Sequence, residues 1–228
     1  MRKEPLVHVV DDDESFLRSM SRLLQAAGYE VRTYGSADDF IARFDAETPG
    51  CVLTDLQMPG RSGLDLQEMV AKSANPLPVV FITGRGDIPT SVLAMRGGAE
   101  DFLTKRSPKA ALMGAVARAI ERDADDRASR GQRREALERL GTLSQREREV
   151  LAGVIRGELN KQIAKRLGMA ERTVKFHRTA STRKLGVSSA AQLAILVRDA
   201  GLTTEDLEAG SEIGSAGHGP SSGRGPMA

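Results

Sequence analysis

Up to about residue 120 the chain alternates between two periodicities. Short apolar runs rich in β-branched residues, LVHVV, YEVRTY, CVLT, PVVFIT and DFLT, read as strands. Amphipathic stretches separate them: in SFLRSMSRLLQAAG, Phe16, Leu17, Met20, Leu23 and Leu24 recur at helical spacing. Five such β/α units predict an α/β fold with a doubly wound, five-stranded parallel sheet. No Gly-rich phosphate turn follows the first strand, so the flavodoxin-like strand order is expected rather than the dinucleotide-binding one. Asp13 is placed to cap the first helix, and Ser107 followed by Pro108 reads as another helix start.

The pattern changes after residue 120. Residues 121–142, ERDADDRASRGQRREALERLGT, are charged and rich in helix formers, and they predict a solvated helical linker with Gly131 as its weak point. Between Asp123 and Glu135 only alanines could line a coiled-coil seam, so pairing through that stretch would be feeble. Residues 143–202 predict an all-α unit of four helices. Ser144 and Glu147 form a capping box before EVLAGVIRG, Asn160 caps KQIAKRL, AERTVKFHRTASTRKL runs to Gly186, and Ser189 with Gln192 starts AAQLAILVRDAG. The tight Gly-containing turn at 167–169 is a helix-turn-helix signature. Residues 203–228 include SEIGSAGHGPSSGRGPMA and are expected to form a disordered tail.

Charge sharpens this division. The net charge is +2, yet residues 143–202 carry 12 Lys/Arg against 5 Asp/Glu, the footprint of a nucleic-acid contact. Cys51 is the single cysteine and reads as a small buried hydrophobe, so there is no disulfide framework and a reducing cytoplasm is the expected location. No apolar run is long enough to span a bilayer and the N-terminus has no signal-like segment, so no membrane partner is expected.

The strand ends carry the candidate chemistry. Asp11 and Asp12 follow the first strand, Asp55 the third, Thr83 ends the fourth and Lys105 follows the fifth; in a parallel sheet these ends converge on one crevice. Three carboxylates so close repel one another unless a hard cation sits among them, and Mg²⁺ suits a site that also holds phosphate. Asp55 is the expected nucleophile, forming an acyl phosphate while Lys105 neutralises developing charge and Thr83 donates its hydroxyl. On the third helix of the basic unit, Val174, His177, Ser181 and Leu185 share an inward face, and Lys175, Thr179, Thr182 and Arg183 project elsewhere.

VVDDDE, TDLQMPGRSGLDL, FITGRGD and AEDFLTK resemble, in order across residues 5–120, the motifs of two-component response-regulator receiver domains. The resemblance implies that a sensor histidine kinase phosphorylates Asp55, and that Asp12, Asp55 and the main-chain carbonyl of Gln57 bind Mg²⁺ with Asp11 acting through a water. It also implies that Phe102 is a switch coupled to Thr83, and that Gln57 and Arg85 tune dephosphorylation. Arg106 stands where receivers usually have proline after the lysine; a cis bond there without proline costs roughly 2.5–4 kcal/mol, so a trans, rebuilt turn is expected. LSQREREVL, NKQIAKRLG and TVKFHRTASTRKLGV resemble the LuxR-type DNA-binding domain, which makes the chain up to about residue 202 similar to a FixJ-type response regulator. Lys175, Phe176 and Thr179 would then read bases of double-stranded promoter DNA, and Arg172, Arg178 and Arg183 would meet phosphates.

The function expected is transcription regulation through a homodimer formed on phosphorylation, with RNA polymerase as a further partner. No enzyme activity is expected beyond Mg²⁺-dependent self-phosphorylation and autodephosphorylation. A haloacid-dehalogenase-like phosphotransferase would need a second carboxylate two residues after the nucleophile, where this chain has Gln57. A receiver with an RNA-binding antitermination output is the alternative, and it would carry a plain three-helix output.

Overall fold

The computed structural model describes residues 4–84 and 88–209. The described residues divide into two compact units, one ending at Ala128 and the other starting at Ser129.

The first unit is a parallel sheet in the order β2-β1-β3-β4-β5, formed by β1 (Leu6–Val10), β2 (Glu30–Tyr34), β3 (Gly50–Thr54), β4 (Val79–Thr83) and β5 (Asp101–Thr104). This is the flavodoxin-like order expected. β1, β3 and β4 are buried along their whole length, as strands covered on both faces must be. Helices α1 (Glu14–Gln25), α2 (Ala37–Arg43), α3 (Gly63–Ala71) and α4 (Ile88–Arg96) alternate with the strands. One core packs Val7, Leu24, Leu53 and Val80 against Val116 and Ala119; the other packs Val10, Phe40, Leu66 and Phe81.

Helix α5 runs unbroken from Lys109 to Gly141, through Gly131. Ser107 does not cap it: the Ser107 hydroxyl instead accepts the Thr104 amide at 3.0 Å and closes the turn after β5. The span expected to be a solvated linker is also partly buried. Asp123 is 1% exposed; its carboxylate accepts the Gly50 amide at 2.8 Å and pairs with Arg127, whose guanidinium also donates to the carbonyls of Ala46 and Thr48 at 3.0 Å. Ala136 and Leu140 belong to the core of the second unit.

The second unit adds α6 (Gln145–Ile155), α7 (Asn160–Leu167), α8 (Glu171–Leu185), α9 (Ala190–Asp199) and α10 (Thr204–Ala209). Ser144 and Glu147 form the expected capping box, and Ser189 caps α9. Asn160 does not cap α7; it is the first helical residue, and Gln162 accepts the Leu159 amide at 2.7 Å. Gly168 turns α7 into α8 with φ of +64°, a conformation that favours a residue without Cβ. The tail expected from residue 203 is corrected: α10 buries Leu207 in the helical core, Thr203 accepts the Asp206 amide at its start, and Glu208 bridges Arg156 and Arg166. Residues 210–228, the remainder of that expected tail, lie outside the described residues.

Candidate functional site

Sheet hydrogen bonding continues one residue past β1 and β3, and this fixes the carboxylates. The Asp11 amide donates to Tyr34 and the Asp55 amide to Val10, at 3.1 and 2.9 Å. Asp13 caps α1 through the amides of Ser15 and Phe16, turning the chain away immediately after Asp12. α3 passes so close to the site that a Cβ on Gly63 would lie 2.2 Å from the Asp55 carbonyl oxygen, which accounts for glycine there.

Asp11, Asp12 and Asp55 each offer an oxygen within 4.8 Å of the others, with Asp11 and Asp55 buried and Asp12 exposed. Lys105 reaches in from the turn after β5, its Nζ 2.6 Å from Asp11 Oδ2 and 3.2 Å from Asp55 Oδ2. Its backbone is held independently, since the Lys105 amide donates to the Thr83 carbonyl at 2.8 Å, and no cis peptide occurs among the described residues. Arg106 therefore leaves Lys105 in the crevice. Burial pushes the Asp11 carboxyl above its ordinary range, against the opposing pull of Lys105 and the Asp13 amide. For Lys105 burial opposes the charge, yet Asp11 and Asp55 outweigh it and raise the ammonium above its usual value. The donor set is all oxygen and mostly anionic, which fits a hard divalent cation such as Mg²⁺ and not a thiophilic metal.

Thr83 is buried at the end of β4, aligned with Thr104 of β5. Phe102 is half-buried, its ring 6.0 Å from that of Phe81. The Gln57 side chain is exposed, and Arg85 lies outside the described residues. Cys51 is fully buried in β3 and its thiol is pushed up by that burial, as a core residue. One neighbour escaped sequence reasoning: the ring of Phe16 lies under the Lys105 ammonium, 4.4 Å from Nζ to the ring centroid. On α4, Val92, Leu93 and Met95 expose large apolar side chains.

In the helical unit, Val174, Ser181 and Leu185 are buried and His177 half-buried, the inward face expected. Arg172, Lys175, Phe176, Arg178, Thr179 and Arg183 are all exposed on α8, Phe176 at 69%. Arg178 also pairs with Asn160 of α7 at 3.3 Å. Ala170 supplies no side-chain cap, but α8 starts in order at Glu171. No described helix is long and apolar enough to cross a membrane.

Residues 7–117 match the family model of the response regulator receiver domain, and residues 141–197 that of the luxR family of bacterial regulatory proteins. The chain is 38% identical over 184 residues to the response regulator protein TodT of Pseudomonas putida, covering 81% of each sequence. It is 39% identical over 204 residues to the transcriptional regulatory protein FixJ of Azorhizobium caulinodans, covering 88% of this chain and 95% of that one. Among solved structures, the response regulator StyR superposes with a TM-score of 0.77 at 43% identity, covering 86% of this chain and 98% of that one.

Proposed function

Because this chain belongs to the FixJ-type two-component response regulators, a receiver followed by a LuxR-type DNA-binding domain that regulates transcription, we propose that Asp55 is its phosphoacceptor and that phosphorylation controls its pairing on promoter DNA. The observation that carries this reading is the crevice itself. It gathers three carboxylates able to share a cation, Asp55 among them, with the Lys105 ammonium 2.6 Å from Asp11 and 3.2 Å from Asp55.

An Asp55 oxygen attacks the phosphorus of a phosphohistidine on the sensor kinase. The O–P bond forms as the P–N bond breaks, and the imidazole leaves with the electron pair and takes a proton from water. Lys105 faces the phosphoryl oxygens and offsets their charge, and the Thr83 hydroxyl donates to one of them. Asp11, Asp12, Asp55 and the Gln57 carbonyl would hold Mg²⁺, which when bound neutralises charge on the phosphoryl group. Gln57 and Arg85 tune hydrolysis of the product, the only other chemistry proposed.

Thr83 and Phe102 form the switch, and the exposed Val92, Leu93 and Met95 of α4 supply apolar surface for a homodimer. Lys175, Phe176 and Thr179 read bases while Arg172, Arg178 and Arg183 hold phosphates. One basic unit binds mainly through salt-dependent phosphate contacts, and joining two raises avidity by about 10²- to 10⁴-fold where half-sites are spaced to fit. Such a regulator works in the cytoplasm, between a sensor histidine kinase and RNA polymerase. The helical unit has more than three helices and matches the luxR family, which favours duplex DNA over the antitermination alternative.

Acetyl phosphate with Mg²⁺ should add one phosphoryl group by intact mass, none to Asp55→Asn, and only the phosphorylated wild type should gain affinity for a two-half-site duplex in gel shifts. Equal labelling of the variant would reject Asp55, and labelling without a change in oligomeric state or DNA affinity would reject the coupling.

A further inference from the structure

Resting on the reading of Asp55 as phosphoacceptor, we propose that Phe16 is a positioning residue for that reaction, seating the Lys105 ammonium against its aromatic face. Among the described residues, Lys105 Nζ meets Asp11 at 2.6 Å, Asp55 at 3.2 Å and the Phe16 ring at 4.4 Å from the centroid. Two of these three groups are carboxylates and the third is neutral.

The neutral one has a distinct use. A third carboxylate would hold the ammonium equally well but would neutralise it, leaving less charge for phosphoryl oxygens. A ring face attracts a cation through its quadrupole and adds no net charge. Phe16 thus restrains the lysine without weakening it. The backbone of Lys105 is fixed through its amide, but a lysine stem has several rotatable bonds, so the ammonium itself still needs restraint. That stem lines a groove of about 160 Å³ with Met20, Leu23, Leu103 and Leu112.

The same turn that brings Asp11 also sets Phe16. Asp13 accepts the amides of Ser15 and Phe16 at 2.8 and 3.2 Å, so the first turn of α1 and the acidic loop form one piece, and both meet the ammonium. The ring packs on the core that contains Leu17, Met20 and Leu112, which fixes it in place.

Wild type, Phe16→Leu, Phe16→Tyr and proteins with singly to triply fluorinated phenylalanine at position 16 test this. In wild type and Phe16→Tyr, the Lys105 ε-methylene protons should show an upfield ring-current shift by NMR, lost in Phe16→Leu. With acetyl phosphate at saturating Mg²⁺, Phe16→Leu should be phosphorylated roughly two- to five-fold more slowly, as loss of a half-exposed cation–π contact implies. Phe16→Tyr should keep the wild-type rate, and each added fluorine should lower the rate further while Mg²⁺ affinity stays constant.

Equal losses in the Leu and Tyr variants, or a rate indifferent to fluorine, would overturn the proposal, because packing alone would then account for Phe16. A phosphorylated wild type without the ring-current shift would overturn it while sparing Asp55. A wild type that shows the shift but takes up no phosphoryl group would instead overturn the Asp55 reading, and the role of Phe16 in the reaction with it.

Discussion

Each unit buries a carboxylate beside a lysine, and the two pairs reach opposite states. In the receiver, Asp11 is 0% exposed with Lys105 at 2.6 Å, and burial leaves its carboxyl raised. In the helical unit, Glu147 is 5% exposed with Lys184 at 2.8 Å. Burial opposes that charge too, yet hydrogen bonds from Lys184 and from the Ser144 amide and hydroxyl carry it below the ordinary range. The difference lies in the balance of burial and donors: for Asp11 desolvation outweighs Lys105 and the Asp13 amide, whereas for Glu147 the bonds from Lys184 and Ser144 outweigh it. Lys105 serves two carboxylates beside a third, whereas Lys184 pairs with Glu147, which is also half of a capping box. Unresolved negative charge suits a crevice that must accept cations and phosphate. A satisfied pair suits a clasp between α6 and α8.

The sharpest way to break this contrast is Lys105→Met, which should slow phosphorylation by acetyl phosphate by about 10²-fold, the usual effect of losing one preorganised charge partner. A loss below tenfold would mean that this lysine is as structural as Lys184. Next in size, Glu147→Ala should cost the helical unit about 2 kcal/mol in urea unfolding, from the cap and the broken pair together, with phosphorylation unchanged. Unaltered stability would remove the clasp from the comparison.

Of similar size, but seen only as pH falls, is an effect confined to the receiver. His8 is 1% exposed on β1, bonded to the Tyr34 hydroxyl at 2.8 Å, and burial with Arg32 nearby lowers its pKa to about 4. Since the unfolded chain takes up the proton first, near 6.5, stability falls as pH drops from there toward 4. The share due to His8 is about 2 kcal/mol between pH 8 and pH 5, given the lowered value of about 4. Unfolding of wild type against His8→Asn at both pH values isolates it, and equal pH slopes would refute it. Glu147, lowered instead, loses its contribution only below the ordinary glutamate range.

The sheet was legible because buried parallel strands write themselves as β-branched runs, and the crevice because its charged residues stand directly after those runs. Phe16 was legible only as one apolar position of a helix; periodicity places a ring on a face but does not say which cation it meets. Asp123 and Arg127 read as solvated charges because their partners, Gly50, Ala46 and Thr48, lie more than seventy residues away. The helix at TEDLEA was lost inside a polar tail: six residues are too few for a period. The Thr203 and Asp206 capping pair before Leu207 was the signal that could have found it.

The Asp123–Arg127 clamp has a consequence for how such chains can be recombined. Both residues lie beyond the end of the receiver family match at residue 117, yet they close the floor of the receiver under β3. A graft that joins a foreign output directly after that match would strip the Gly50 amide and the carbonyls of Ala46 and Thr48 of their partners, at the end of the strand opposite Asp55. The exchangeable module therefore ends inside the helix, past Arg127, and any interchange of outputs has to preserve those extra turns along with the sheet.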